Sequence, residues 1–279
     1  MPSEYFEAGT ISLIYAFVGV LVWILVNNLR ANEAELARNL LILQRTQERL
    51  LREEKLAVVG RLSSAIAHEI RNPVAMISSS LATAIRGQLE PAQRERMFEI
   101  ASIQAARLEK LTNDFLAYAR PRTPALTRDN AAGVLAYVAE LSQAHAGERQ
   151  VDITVDSPQE LYCAFDATLL QQALLNLVMN AIDASPPNST VVVAGRNSGD
   201  SIRIDVKNTG TEIDPGVLDQ IFEPFFTTKP RGTGLGLAIA RNAARGHRGD
   251  LTLTQNGPDV VIFTLTLPVE NKMNTKAVD

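Results

Sequence analysis

His68, Glu69, Asn72 and Pro73 stand together in the run His68-Glu69-Ile70-Arg71-Asn72-Pro73. On a helix His68 lies about 200° round from both Ile66 and Ile70, so it is predicted to point away from the apolar face that carries them. An imidazole in that position is accessible as a nucleophile. Asn72 is one turn on and shares the His68 face. A second set follows downstream: Asn176 and Asn180, Asn208-Thr209-Gly210, Phe222-Glu223-Pro224-Phe225-Phe226, and Gly232-Thr233-Gly234-Leu235-Gly236. Asn176 and Asn180, four apart, share one helix face. Glycines leading into an apolar helix let backbone N–H groups approach phosphates. The two sets are a candidate nucleophile and a candidate phosphate-binding site on one polypeptide.

In the order and spacing of these motifs the chain resembles the two-component sensor histidine kinases over roughly residues 53 to 268. The resemblance implies a dimerisation and phosphoacceptor hairpin followed by a Bergerat-type ATP-binding domain. It assigns His68 as the phosphoacceptor for the γ-phosphoryl group of ATP. Neutral imidazole attacks through one nitrogen only if the proton on the other is accepted or stabilised, and by resemblance Glu69 is that general base or orienter. The same resemblance makes Glu69-x-x-Asn72 a phosphatase motif, with the Asn72 amide positioning water. Arg71 is open between pairing with a phosphate and solvating the helix.

Mg2+ is a hard ion that takes oxygen ligands and keeps waters, so amide carbonyls suit it. Asn180 is the expected metal ligand, and Asn176 holds water or a phosphate. The segment from Phe222 to Lys229 matches the family's lid, with Thr227, Thr228, Lys229 and Arg231 closing over the γ-phosphate. The expected nucleotide set is completed by Asn208, Gly210, Gly232, Thr233, Gly234, Leu235 and Gly236. Two positions depart from the family. Asn208 stands where an aspartate accepts from the adenine amino group, and Glu212 replaces the next glycine of that motif. An asparagine carbonyl still accepts the bond without the charge-assisted part, a difference of about 1 kcal/mol. Weakened but not abolished ATP binding is expected, with Asn208→Asp no worse.

The elements that must position these residues span 279 residues with 46% apolar content. A net charge of −4 with no strongly basic segment speaks against a nucleic-acid binder. The single cysteine, Cys163, closes no intrachain disulfide and reads as a small apolar strand residue. No cysteine or histidine cluster has zinc spacing. His247 is expected to cap a helix, and His145 to be exposed and inert.

The 22 residues between Glu7 and Arg30 carry no charge, and Ile11 to Val26 is almost wholly apolar. As a helix this stretch reaches roughly 30 Å, the thickness of a bilayer's hydrocarbon layer. Glu4 and Glu7 precede it instead of basic residues, which argues against a signal peptide. Arg30, Arg38, Arg45, Arg49, Arg52 and Lys55 follow it, so the positive-inside rule keeps the C-terminal side cytoplasmic. With about ten residues outside, no folded external sensor is expected. The expected localisation is single-pass in the bacterial inner membrane.

The predicted organisation has several domains. Residues 1–29 form a short outside tail and transmembrane helix. Residues 30–55 form a coiled-coil connector with a stripe at Leu36, Leu40, Leu43, Gln47, Leu50, Glu54 and Ala57. Residues 56–121 form the phosphotransfer domain, an all-α hairpin that a homodimer completes to a four-helix bundle. Its first helix is expected over about 53–86 with Gly87 as its stop. Its second is expected over about 91–119, started by Pro91, with Pro121 and Pro124 as a hinge. Pro73 should kink the first helix. Residues 125–268 form an α/β sandwich, and 269–279 a disordered tail.

The expected partners are a second copy, a membrane and the receiver domain of a separate response regulator. Two other readings stay open: a nucleotide-binding scaffold whose main output is dephosphorylation, and an ATPase of the gyrase and chaperone superfamily. The latter leaves the exposed His-Glu pair without a purpose. The signal, the cognate regulator and the choice between phosphorylation within or across protomers are not encoded legibly.

Overall fold

The computed structural model describes the backbone of residues 2–86, 89–120, 122–229 and 232–269. Side chains are described from residue 19 onward over these stretches, except 31, 34, 37, 44, 47–65, 68 and 86. The chain divides into two compact units, Met1–Ile66 and Ala67–Asp279.

The first unit is formed by helix α1 (Pro2–Arg86), which also opens the second. Among the described residues no helix is long and apolar enough to cross a membrane. The first half of the expected span, residues 11–18, lies outside the described side chains. The second half is apolar and uncovered, with Val20, Leu21, Trp23, Leu25 and Leu29 all exposed. In the connector stripe Leu36, Leu40 and Leu43 are exposed; Gln47, Leu50, Glu54 and Ala57 lie outside the described side chains.

The second unit begins with the rest of α1 and with α2 (Pro91–Ala119). Pro91 occupies the first turn of α2, where its missing N–H leaves no bond unmade. Ala101, Leu111 and Tyr118 of α2 are buried, as are Ser80 and Ala84 of α1. Glu69 of α1 lies 3.5 Å from Arg107 of α2. α1 runs through Pro73 without a break. The expected stop at Gly87, the hinge residue Pro121 and the tail beyond Val269 fall outside the described residues.

The α/β part runs β1 (Thr127–Asn130), α3 (Ala131–Arg149), β2 (Val151–Asp156), β3 (Tyr162–Phe165), α4 (Ala167–Ala184), β4 (Ser189–Ser198), β5 (Ser201–Asn208), a 3-10 turn (Pro215–Gln220), α5 (Gly236–Gly246), β6 (Asp250–Gly257) and β7 (Val260–Pro268). Five strands form one sheet in the order β2-β4-β5-β7-β6, antiparallel except for β2 beside β4. β1 and β3 make a separate antiparallel pair. Alternation of buried and exposed residues along β4 and β5 turns Val191, Val193, Ile202, Ile204 and Val206 inward. The core joins these to Leu135 and Val138 of α3 and to Leu170, Leu174, Leu177 and Ile182 of α4. Each such side chain contributes about 1.5–3 kcal/mol over leaving it exposed.

α4 starts because the Asp166 carboxylate accepts from Leu169 N–H at 3.1 Å and from Ala125 N–H at 3.0 Å. α5 ends on His247, which is 1% exposed. Its Nδ1 lies 2.6 Å from Ala243 O, and its Nε2 accepts from Asp166 N–H at 2.9 Å. The histidine therefore caps one helix and fastens it to the start of another. α3 runs through Gly147 and ends at Arg149.

Candidate active site

Residues of α2, α3, α4, β5, α5 and β7 converge with the loop before α5 on one cavity of about 990 Å³ in the second unit. From α4 come Asn176, Asn180 and Asp183, and from the end of β5 comes Asn208. Thr228, Lys229, Gly232, Thr233 and Gly234 line it from the loop before α5, and Gly236 opens that helix against it. Two expected members take other positions. Leu235 is fully buried and does not line the cavity. Gly210 does not line the cavity but lies behind Asn208. Arg231 and the His68 side chain fall outside the described residues.

Gly234 has a φ of +66°, and a Cβ there would stand 2.4 Å from the carbonyl carbon of Phe225. Only glycine permits this turn, which Phe225 N–H closes by donating to Gly234 O at 2.9 Å. Phe222 anchors the other end of the loop. It packs edge-on against Phe263 with centroids 6.2 Å apart, and the Arg241 guanidinium lies 4.5 Å above its ring.

The polar end of the cavity is a charge cluster. Lys229 Nζ donates to Asn180 Oδ1 at 3.2 Å and to Asp183 Oδ2 at 3.4 Å. Asp183 Oδ1 also lies 3.0 Å from His145 Nε2 and 3.4 Å from Arg149. Burial alone would raise the Asp183 carboxyl, yet the His145 hydrogen bond and the charges of Lys229, His145 and Arg149 together hold it below the usual carboxylate range. Burial pushes the Lys229 ammonium down, and Asp183 offsets part of that. His145 is thus half-buried and paired, a correction to its expected exposure and inertness. Residues 176, 180 and 183 share one helical face, so Asp183 was within reach of the spacing argument. His145 and Asp183 are 38 positions apart, and no local pattern joins them.

α2 contributes Arg107, Lys110 and Asp114 to the cavity wall. Thr233 Oγ1 donates to Asp114 Oδ2 at 3.1 Å, across 119 positions of chain. Burial raises the Asp114 carboxyl, while the Thr233 bond and Lys110 pull the other way. Glu69 and Asn72 lie outside the cavity lining, but Arg107, which does line it, is the ion-pair partner of Glu69.

These features define a protein with a helical acceptor module and a nucleotide-type pocket. Residues 58–124 match the family described as His Kinase A (phospho-acceptor) domain, and residues 165–271 match the Histidine kinase-, DNA gyrase B-, and HSP90-like ATPase family. The sensor histidine kinase ZraS of Escherichia coli K12 is 31% identical over 81% of this chain and 49% of its own length. Sporulation kinase A of Bacillus subtilis 168 is 31% identical over 81% of this chain and 37% of its own. The crystal structure of histidine kinase ThkA in complex with response regulator protein TrrA superposes with a TM-score of 0.68 at 28% identity, covering 78% of this chain and 64% of that one. The chain belongs to the two-component sensor histidine kinases. It spans half or less of the length of these curated relatives.

Proposed function

We propose that this chain is an ATP-dependent protein-histidine kinase that phosphorylates His68 and passes the phosphoryl group to an aspartate of a separate response regulator. The observation that carries this reading is the convergence of Asn176, Asn180, Asn208 and the Gly232–Gly236 loop on one cavity. An imidazole nitrogen of His68 forms the N–P bond as the bond from the γ-phosphorus to the ADP oxygen breaks, and the proton on the other nitrogen is held or accepted by Glu69. Arg107, 3.5 Å from Glu69, orients that carboxylate. Asn72 positions water for attack on the phosphorylated aspartate of the regulator, a hydrolysis that releases inorganic phosphate and leaves the free carboxylate.

Asn180 suits Mg2+, because its carbonyl oxygen is turned into the cavity and already accepts from a cation, Lys229. Asn180 would hold the ion, which when bound neutralises triphosphate charge. Lys229 is then freed to bind phosphate, together with Thr228 and Thr233. Asn176 faces Gly236 at 3.6 Å from its missing Cβ, a place to hold water or a phosphate oxygen at the helix start.

The uncovered apolar residues from Val20 to Leu29 support a single-pass inner-membrane anchor over 11–26, with the catalytic part cytoplasmic. Val74, Leu81, Ile85, Phe98 and Ile103, exposed on the hairpin, support a homodimeric bundle. ThkA, solved with a response regulator, supports transfer to a partner of that kind.

The test is incubation of the full chain with γ-labelled ATP and Mg2+. Acid-labile, alkali-stable label that disappears in His68→Gln is expected. Label that persists in His68→Gln, or steady ATP hydrolysis indifferent to that change, refutes the reading.

A further inference from the structure

Asn208 is the last residue of β5, 3% exposed, and lines the cavity. Its Nδ2 has no hydrogen-bond partner among the described residues. A buried amide donor left without a partner normally costs stability, so its retention here points to a ligand that completes it. The backbone makes room for this amide at Gly210, where a Cβ would stand 2.7 Å from Nδ2 and 2.5 Å from Ala184 O. Val261 sits opposite Asn208 across the β5–β7 ladder, and Met179, Ile221 and Phe263 add apolar lining. An apolar slot with one buried carboxamide suits a flat heterocycle with a donor and an acceptor on adjacent atoms.

Purines offer that edge in two senses. Adenine presents a 6-amino donor beside the N1 acceptor, and a 6-oxopurine presents the O6 acceptor beside an N1–H donor. A carboxamide holds one acceptor and one donor side by side, and a half-turn about its last bond exchanges them. It therefore pairs with either edge. A carboxylate has acceptors only, so it receives the adenine amino group but faces O6 with repulsion. Resting on the nucleotide reading above, we propose that Asn208 sets base choice and that the chain binds 6-oxopurine nucleoside triphosphates as well as ATP.

The experiment is calorimetric titration of the detergent-solubilised full chain with the magnesium salts of ATP, ITP, GTP and CTP. ITP lacks the 2-amino group and so isolates the edge from crowding at C2. Affinity for ITP within about tenfold of that for ATP is expected; CTP offers the same edge as ATP and should be weaker only because its single ring fills less of the apolar slot lined by Met179, Ile221, Val261 and Phe263. Asn208→Asp should shift the ITP-to-ATP affinity ratio toward ATP by about tenfold or more. If that variant does not fold, Asn208→Ala serves, and both nucleotides should weaken together at an unchanged ratio. ATP binding with no measurable ITP binding, CTP binding as tight as ITP, or substitutions that leave affinities and ratio unmoved would each overturn the proposal while leaving the nucleotide reading intact. Binding of none of the four overturns both.

Discussion

At the scale of single residues, Asp183 is where charge, burial and the proposed phosphate chemistry meet. Its carboxylate serves His145, Arg149 and Lys229 at once, and its affinity for protons is lowered in the fold despite burial. A carboxyl lowered in this way adds stability above its unfolded value, about 3.9, and that stability is lost as pH falls through its lower folded value. Asp183→Asn is therefore expected to lower stability at pH 7 by about 1 kcal/mol, allowing for the solvent that still reaches the cluster. The gap to the wild type should close on acidification below about pH 4. Thermal unfolding of both proteins across that range checks the sign. A second residue, Cys163, is fully buried on β3, and burial pushes its thiol up to about 12. Alkylation by iodoacetamide at pH 8 should be slow in the folded protein and become fast only when urea unfolds it, because the thiolate is the reactive form.

At the scale of elements, the glycine loop and the start of α4 carry separable loads. In Gly234→Ala the positive φ costs about 1–2 kcal/mol, and the new Cβ would overlap the Phe225 backbone. The loop must open or shift, so nucleotide affinity should fall by about tenfold or more. Most of the core packs away from this turn, so the thermal midpoint should move by only a few degrees. Asp166→Ala acts the other way round. It removes the acceptor of Leu169 N–H and of Ala125 N–H and should lower stability by about 1–2 kcal/mol at neutral pH, read by urea unfolding. Such elements were legible beforehand because their signals are local. The Asp166 cap, the Ser185-Pro186-Pro187 stop and the alternating run Val151-Asp152-Ile153-Thr154-Val155 each lie within a few residues. β1 carries no local signal, because Thr127–Asn130 is polar and mostly exposed and becomes a strand only by pairing with β3. Gly147 reads locally as a helix stop, yet α3 continues to Arg149 and ends on Gln150 at a φ of 57°. The motif residues of the site were legible for the same reason of locality. Asp114 and His145 were not, because each reaches the cavity from a distant helix.

At the scale of the whole molecule, the hairpin cannot satisfy its own apolar surface. Ile85 is 79% exposed, and Val74, Leu81, Phe98, Ile103 and Leu116 are exposed with it. Two helices present more apolar stripe than one antiparallel partner covers, and a second copy offers the same stripe by symmetry. Leu81 and Ile85 are four apart and share a face, so replacing both with glutamate places four like charges at a two-fold seam. By light scattering on detergent-solubilised protein at micromolar concentration, the unaltered chain is expected to be a dimer and the doubly substituted chain a monomer. Its ATP affinity should stay within about twofold of the unaltered chain, because none of the substituted positions lines the nucleotide cavity. His68 labelling then reports on geometry. If the nucleotide cradle serves the partner's imidazole, monomers lose the label, and mixing with a His68→Gln chain of intact seam does not restore it. If it serves its own, the label survives in the monomer. A doubly substituted chain that remains dimeric places the seam elsewhere on the molecule, because a carboxylate quartet buried between two helices without counter-charge carries a penalty of several kcal/mol.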